Sequence, residues 1–254
     1  MNNKKHYVIG LGEVGDPLRQ NISEYLPCIG IDLDTPEPDA PCAIMHVCIG
    51  QKDESFVDTV VGYVEKYEPE MLIVNSTVIP GTCRKIAERV SCPVAHSPIR
   101  GKHVRMKEDQ RHYDKFVGGV TEEAAEIAEK HFLEAGFRVR RMSSAETTEF
   151  AKISSTSYFG LHIAWAQEVE RFCDQLDLNY DEVISIYDEI PYFPKTKFFP
   201  GVIGGHCVMP NIRLLNFIGS GPLFEAIKES NILKEAREAS AEETGEEAPS
   251  RKAA

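Results

Sequence analysis

At 254 residues with 42% hydrophobic side chains, the chain is long enough to bury a sizeable core, and no apolar run approaches the roughly 18 residues that a membrane span requires. The formal net charge of −12 argues against nucleic-acid binding. Cysteines at 28, 42, 48, 83, 92, 173 and 207, odd in number and without a Cys-x-x-Cys pair, read as reduced thiols of a cytoplasmic protein and provide no metal site.

The N-terminal Met1-Asn-Asn-Lys-Lys-His6 leads into a strand without the apolar stretch and cleavage site of a signal peptide. That strand, ending Tyr7-Val-Ile-Gly10, runs into Gly10-Leu-Gly-Glu-Val-Gly15, with a helix expected from about Asp16. A Gly-x-Gly-x-x-Gly between strand and helix has a mechanism: Gly10, Gly12 and Gly15 permit the tight turn, the close approach of a pyrophosphate and the packing of helix on strand. The turn residues Glu13 and Val14 lead into the helix N-terminus, whose unpaired N–H groups suit phosphate. The next apolar run, Cys28-Ile-Gly-Ile31, ends in Asp32, about 20 residues past the glycines, where an acid would hold the adenosine ribose. Asp32 is otherwise a strand-end turn cap. Leu33 and Asp34 follow it and no arginine does, which favours NAD over NADP.

Strand-like runs recur at Ala43-Ile-Met-His-Val-Cys-Ile49, Met71-Leu-Ile-Val74, Pro93-Val-Ala95 and Phe116-Val117, separated by helical stretches near 53–66, 81–90 and 121–134. This alternation predicts an α/β fold with a doubly wound parallel sheet, whose ligands lie at the carboxyl ends of the strands. Cys48, near the end of the third run, and Ser76 and Thr77, after Val74, are therefore further cofactor candidates. Ser76 and Thr77 equally suit a turn that caps the helix beginning near Gly81.

From Ala145 to Leu176 there is no proline. Phe150, Ile153, Ser157, Leu161, Ala164, Glu168, Phe172 and Leu176 fall at helical spacings with apolar neighbours. A helix that long in a small domain predicts packing against a second copy, a homodimer built on the 145–177 helix. Lys152 lies on it, readable as a solvated surface lysine. A further helix is expected from Tyr180 to about Asp188, then the irregular Ile190–Pro200 segment. Next comes Gly201-Val-Ile-Gly-Gly-His-Cys207, then helical sequence from about Ile212 to Ala236 interrupted at Gly219-Ser-Gly-Pro222. Cys207, alone, reads either as an inert thiol in a tight turn or as a presented nucleophile. The division is a Rossmann domain over 1–142, an all-α dimerisation domain over 143–238, and a disordered acidic tail over 239–254.

Gly10-Leu-Gly-Glu-Val-Gly-Asp-Pro17, Gly30-Ile-Asp-Leu-Asp34, Ser76-Thr-Val-Ile-Pro-Gly-Thr82, Phe116-Val-Gly-Gly119, Glu149-x-x-Lys152 and Gly204-Gly-His-Cys207 stand in the order seen in the UDP-glucose/GDP-mannose (nucleotide-sugar) 6-dehydrogenase family. Together they resemble that family up to about residue 236. The resemblance implies NAD-dependent oxidation of a sugar 6-hydroxyl, with Cys207 capturing the aldehyde as a thiohemiacetal and Lys152 stabilising an oxyanion or moving the hydroxyl proton. It also implies substrate contacts at Arg100, Thr156, Gly204, Gly205 and Asn211. Three departures accompany it. Ile99 stands where the family has an acid, and Thr156 where it has an asparagine; Asn211 replaces the aspartate after the cysteine. Neither Ile99 nor Asn211 can deprotonate a hydrolytic water. The expectation is a shortened family member without the C-terminal nucleotide-sugar-binding domain, acting on a sugar-like alcohol. The alternatives are a non-catalytic NAD-binding sensor or assembly subunit, and a two-electron hydroxyacid dehydrogenase.

Overall fold

The computed structural model describes residues 4–244 apart from 52, 54, 195, 197, 206, 216, 218 and 220, and apart from the side chains of 103 and 242–244. The chain divides into two compact units, Met1–Lys152 and Ile153–Ala254.

The first unit is built on strands β1 (Lys5–Ile9), β2 (Cys28–Ile31), β3 (Cys42–Val47), β4 (Met71–Val74), β5 (Val94–His96), β6 (Lys115–Gly119) and β7 (Val139–Arg141). They form one sheet in the order β2-β1-β3-β4-β5-β6-β7. Helices α1 (Gly15–Ser23), α2 (Ser55–Tyr67), α3 (Thr82–Ala87), α4 (Met106–His112) and α5 (Glu122–Glu134) connect the strands. Successive side chains of β4 alternate between two cores: Leu72 and Val74 join Tyr7, Met45, Val60 and Ile86, while Met71 and Ile73 join Val8, Leu18, Val117 and Phe132. Burial on both faces is why these strands read as unbroken apolar runs. Thr121 caps α5, its side chain accepting from the Ala124 N–H.

The sheet is mixed, which corrects the parallel expectation. β6 pairs antiparallel with β5, Ala95 opposite Gly119 and His96 opposite Gly118, and β7 then runs parallel to β6. The cause is the β5–β6 connection. It carries α4, absent from the sequence-based expectation, and α4 docks on α1 through Asn21 Nδ2 to the Lys107 carbonyl (3.0 Å) and Gln110 Nε2 to the Val14 carbonyl (3.1 Å). The chain thus enters β6 from the edge at which it left β5. Hydrophobic period alone carries no strand direction.

The second unit is all-helical. Helix α6 (Ala145–Leu176) begins in the first unit and continues through the second, followed by α7 (Tyr180–Ser185), α8 (Val208–Leu215) and α9 (Pro222–Thr244). Ile163 and Ala164 pack against Ile203, Val208, Ile212 and Ile227. Farther along α6, Ala166 and Cys173 pack against Tyr180 and Ile184. The expected helix over 180–188 is α7 followed by a 3-10 turn, Ile186–Glu189. α8 starts at Val208, before the expected Ile212, because Pro210 lies in its first turn, where a missing N–H costs nothing. α9 runs on to Thr244 through Ala239-Ser-Ala-Glu-Glu-Thr; alanine and glutamate favour helix even without an apolar face. The expected tail is therefore helical where it begins, and residues 245–254 lie outside the described residues.

Candidate active site

The glycine turn has the properties that a pyrophosphate site needs. Gly10 adopts φ +87°, a left-handed conformation that side chains disfavour. A Cβ on Gly15 would overlap the Gly10 carbonyl oxygen and meet Cys48 Cβ at 3.0 Å, whereas nothing lies within 4 Å of a Cβ built on Gly12. The turn is thus closed on its protein side and open at Gly12, a cradle that fits NAD. The Asp32 carboxylate, exposed at the end of β2, accepts from Leu11 N (2.8 Å) and Leu33 N (2.9 Å). It stands beside the turn with lone pairs remaining for hydroxyl donors. Glu13 is exposed and Val14 half-buried, at the N-cap of α1.

Cys48 packs beneath the turn, its N–H donating to the Ile9 carbonyl at 2.8 Å; burial pushes its thiol up to about 12. Ser76 turns inward, its hydroxyl donating to the Val47 carbonyl at 3.2 Å. Thr77 beside it is half-buried. The Arg100 guanidinium donates to the Asp114 carbonyl (2.9 Å) and lies over the rings of Phe116 (4.5 Å) and Tyr113 (5.2 Å). Ile99 is 4% exposed and belongs to the apolar core.

Two buried polar residues, His96 and the Glu149 of the Glu149-x-x-Lys152 motif, tie the strand ends to the first turns of α6. His96, fully buried, bridges the Ser76 carbonyl (Nε2, 3.0 Å) and Thr148 Oγ1 (Nδ1, 2.8 Å). The Glu149 carboxylate, also fully buried, accepts from Gly81 N (2.6 Å) and Cys83 N (2.8 Å) at the start of α3. Lys152 follows Glu149 by one helical turn, and its charge contributes to holding His96 and Lys115 below their ordinary values.

Lys115 is 4% exposed and its ammonium nitrogen has no hydrogen-bond partner among the described residues; it sits 4.9 Å from the Phe132 ring. Burial brings it down to about 7, opposed by Cys48 and assisted by Arg100 and Lys152. A lysine so depressed destabilises the fold most below pH 7, where its charge must be carried inside, and ceases to do so above its ordinary 10.5. Lys115→Met should therefore stabilise the protein by roughly 2–4 kcal/mol at pH 6 and by little near pH 10. Denaturant melts at the two pH values check this; equal effects at both would contradict it.

In the second unit Cys207 is exposed immediately before α8, whereas the other six cysteines are buried or half-buried. Gly204 and Gly205 precede it, Gly205 at φ +76°, and nothing lies within 4 Å of a Cβ built on either. Residue 206 lies outside the described residues. Asn211 Nδ2 donates to Thr156 Oγ1 (2.9 Å), which donates to the Ile153 carbonyl (2.9 Å). The two substituted positions are thus brought together as a neutral pair. A cavity of about 550 Å³ lined by Tyr158, His162, Trp165, Tyr180, Tyr187 and Phe198 contains none of the expected site residues. Among the described residues no group of three or more His, Cys, Asp or Glu could hold a metal ion, and no helix is long and apolar enough to cross a membrane.

Residues 146–233 match the UDP-glucose/GDP-mannose dehydrogenase family, central domain. The chain is a relative of these dehydrogenases. It is 28% identical over 157 residues to a UDP-N-acetyl-D-mannosamine dehydrogenase of Methanococcus vannielii, covering 60% of this chain and 35% of that protein. It is 29% identical over 197 residues to one of Pyrococcus horikoshii, covering 64% and 46%. The chain spans about a third to a half of the length of these curated relatives. The fold matches the solved UDP-D-ManNAc dehydrogenase of Pyrococcus horikoshii at a TM-score of 0.77 and 22% identity, over 92% of this chain and 69% of that one. A UDP-glucose dehydrogenase from Pyrobaculum islandicum matches at 0.76 and 17% identity, over 96% and 72%.

Proposed function

We propose that the chain binds NAD through the Gly10–Gly15 turn and Asp32, and oxidises a primary alcohol of a sugar-like substrate with Cys207 as nucleophile. The observation that carries this reading is the exposure of Cys207 behind a glycine loop, in a chain whose other thiols are withdrawn from solvent. Its similarity to nucleotide-sugar dehydrogenases supports the substrate class. Bound NAD would accept the hydride from the alcohol carbon. The protein residues do the rest. The Lys152 ammonium stabilises the alkoxide as the hydroxyl proton leaves. The Cys207 sulfur adds to the aldehyde carbon, and the proton lost from the thiol passes to the carbonyl oxygen to give a thiohemiacetal. Arg100, Gly204, Gly205, Thr156 and Asn211 are the proposed substrate contacts, with Glu13, Val14, Cys48, Ser76 and Thr77 shaping the cofactor side. A second oxidation would leave a thioester, and neither Ile99 nor the Thr156–Asn211 pair supplies a base to hydrolyse it. The reading therefore extends to the Cys207 thiohemiacetal in the cytoplasm and assigns no residue to the hydrolysis of a thioester.

We also propose a homodimer through α6. Tyr158, Trp165, Phe172 and Leu176 recur at heptad-like spacing, and each is more than half exposed; such a stripe is covered in a stable helical protein.

NAD should raise the melting temperature of the wild-type chain and leave Asp32→Ala unchanged. NADH absorbance over a panel of nucleotide sugars should detect turnover that Cys207→Ser loses, and sedimentation velocity should give a dimer. An NAD-insensitive melting temperature would end this reading. One observation favours a second, non-catalytic NAD-binding role: the two positions that are acidic in the family hold a core isoleucine, Ile99, and the neutral Asn211. NAD binding without turnover of any alcohol would select it. A hydroxyacid dehydrogenase would instead retain activity in Cys207→Ser.

A further inference from the structure

The loop that leads to Cys207 is held by side chains far from it in sequence. Asn231 on α9 is 2% exposed, and its Oδ1 accepts from the Ile203 N–H at 2.6 Å while its Nδ2 faces the Ile203 carbonyl at 3.4 Å. One amide side chain thereby engages both backbone groups of a single loop residue, as a neighbouring strand would. Gln167 on α6 is fully buried; its Nε2 donates to the Gly201 carbonyl at 2.8 Å and reaches Asn231 Oδ1 at 3.4 Å. Two further bonds orient these amides. Ser230 Oγ donates to Gln167 Oε1 (2.8 Å), and Asn231 Nδ2 donates to Glu235 Oε1 (2.9 Å).

The loop is also held beyond the cysteine. Gly160 leaves room on α6 for Val208: a Cβ there would come within 2.5 Å of Val208 Cγ1. Three residues past Val208, Asn211 bonds Thr156. Ile203, 3% exposed, and Val208, 4% exposed, thus anchor the chain on both sides of the exposed Cys207. Buried amides are costly to leave unpaired, so residues 167 and 231 must have partners wherever they lie. A fully apolar contact would fill this space more cheaply, yet here the partners are loop backbone atoms.

We infer that Asn231, with Gln167, is a positioning residue for Cys207: the paired amides hold Gly201–Ile203 and thereby set the direction from which the thiol is presented. This rests on the reading of Cys207 as a nucleophile, and the test separates the two. A nitroxide attached to Cys207 of the full chain, with its site verified by peptide mass mapping, reports loop mobility whether or not the protein turns over. The wild type should show an immobilised line shape and Asn231→Leu a mobile one. Gln167→Met, which removes the Gly201 bond and the contacts to Ser230 and Asn231 but leaves both Asn231 contacts to Ile203, should lie between them and provides the measurement if Asn231→Leu does not fold. Asn231→Asp combined with Glu235→Gln exchanges donor and acceptor while keeping an acceptor for the Ile203 N–H, and should restore the immobilised spectrum. Ile184→Val, a core truncation under α7, lowers stability without this bond and should leave the spectrum unchanged.

In the NADH assay Asn231→Leu should lower kcat with KM for NAD unchanged, and the double variant should recover it. A wild-type line shape in both Asn231→Leu and Gln167→Met overturns the positioning role. Loosened spectra in a chain without turnover sustain that role and overturn the nucleophile reading instead.

Discussion

Acidification from pH 7 toward pH 4.5 should unfold this protein far more steeply than its carboxylates alone would. Among the described residues, three histidines are buried in the first unit: His46 and His96 fully, and His131 at 2% exposure. Burial lowers all three, His46 to about 3 and His96 to about 4, with His131 well below its ordinary range. The bonding of two of them specifies why. His46 Nδ1 lies 3.0 Å from Asn75 Oδ1 and must donate to it, since Asn75 Nδ2 is spent on the Ser97 carbonyl at 2.6 Å. The His46 Nε2 lone pair therefore faces His131 Nε2, 2.9 Å away, and His131 supplies the only proton between the two rings. A second proton would set two N–H groups, one of them charged, against each other inside an apolar core.

The sign follows from proton linkage. The unfolded chain protonates these rings below about 6.5 while the folded chain does not, so stability is present above 6.5 and is lost as pH falls toward the folded values. With all three rings titrating, the slope approaches about 4 kcal/mol per pH unit, against a total stability of about 5–15 kcal/mol for a typical domain. Glu149, raised by burial, opposes this slightly, because the folded state holds its proton more firmly as pH falls. Urea melts at pH 7.5, 6.5 and 5.5 provide the slope. His46→Leu with His131→Leu should remove about two thirds of it, leaving His96. A stability independent of pH over that range would contradict the argument.

These histidines mark the limit of what could be read from the chain before its structure. His46 sits in the run Ala43–Ile49, which reads as a strand and forms β3, because period and apolar content define a buried strand whatever one polar member does. That its partner would be His131, 85 positions away on α5, has no local signature. The same holds across the fold. The glycine turn, Asp32 and the full extent of α6 were legible because each depends on residues adjacent in sequence: φ freedom, strand-end position, an uninterrupted helical pattern. The antiparallel β6 and the short, polar α4 were not, since direction and docking depend on packing between distant segments. At the candidate site, Cys207 and Lys152 are proposed from the motifs of the resemblance, whereas Asn231 and Gln167 are ordinary polar residues on helices. The buried side of α9 is itself mostly polar, Ile227 beside Ser230, Asn231 and Lys234, so no apolar pattern flags the amide and only its partner gives it meaning. Ser76 gives the converse case. Its position after β4 suited a crevice residue, but its hydroxyl is turned into the sheet.

Glu149→Leu should be among the most damaging single changes in the first unit, although the side chain it replaces is a buried acid. Carrying that carboxylate inside is itself unfavourable, and burial raises its protonation equilibrium despite the two amides it accepts from. Removing it is worse. The Gly81 and Cys83 N–H groups point at its two oxygens from the first turn of α3, and neither leucine nor the surrounding core offers them an acceptor. Each buried donor left unpaired costs about 1–3 kcal/mol, so a loss of about 2–5 kcal/mol is expected. Glu149→Gln keeps one acceptor but turns its NH2 toward the other amide, and should cost about half as much. The damage should also be directional. Glu149 joins the loop after β4, which carries Ser76 and Thr77, to the α6 turn that ends at Lys152. Hydrogen exchange should therefore accelerate first at the Gly81 and Cys83 amides, with the β1 and β3 amides still protected. NAD affinity should fall further in Glu149→Leu than in a core truncation of equal cost such as Ile86→Ala. Uniform loss of protection through the sheet, with NAD affinity tracking stability alone, would reduce Glu149 to a packing residue.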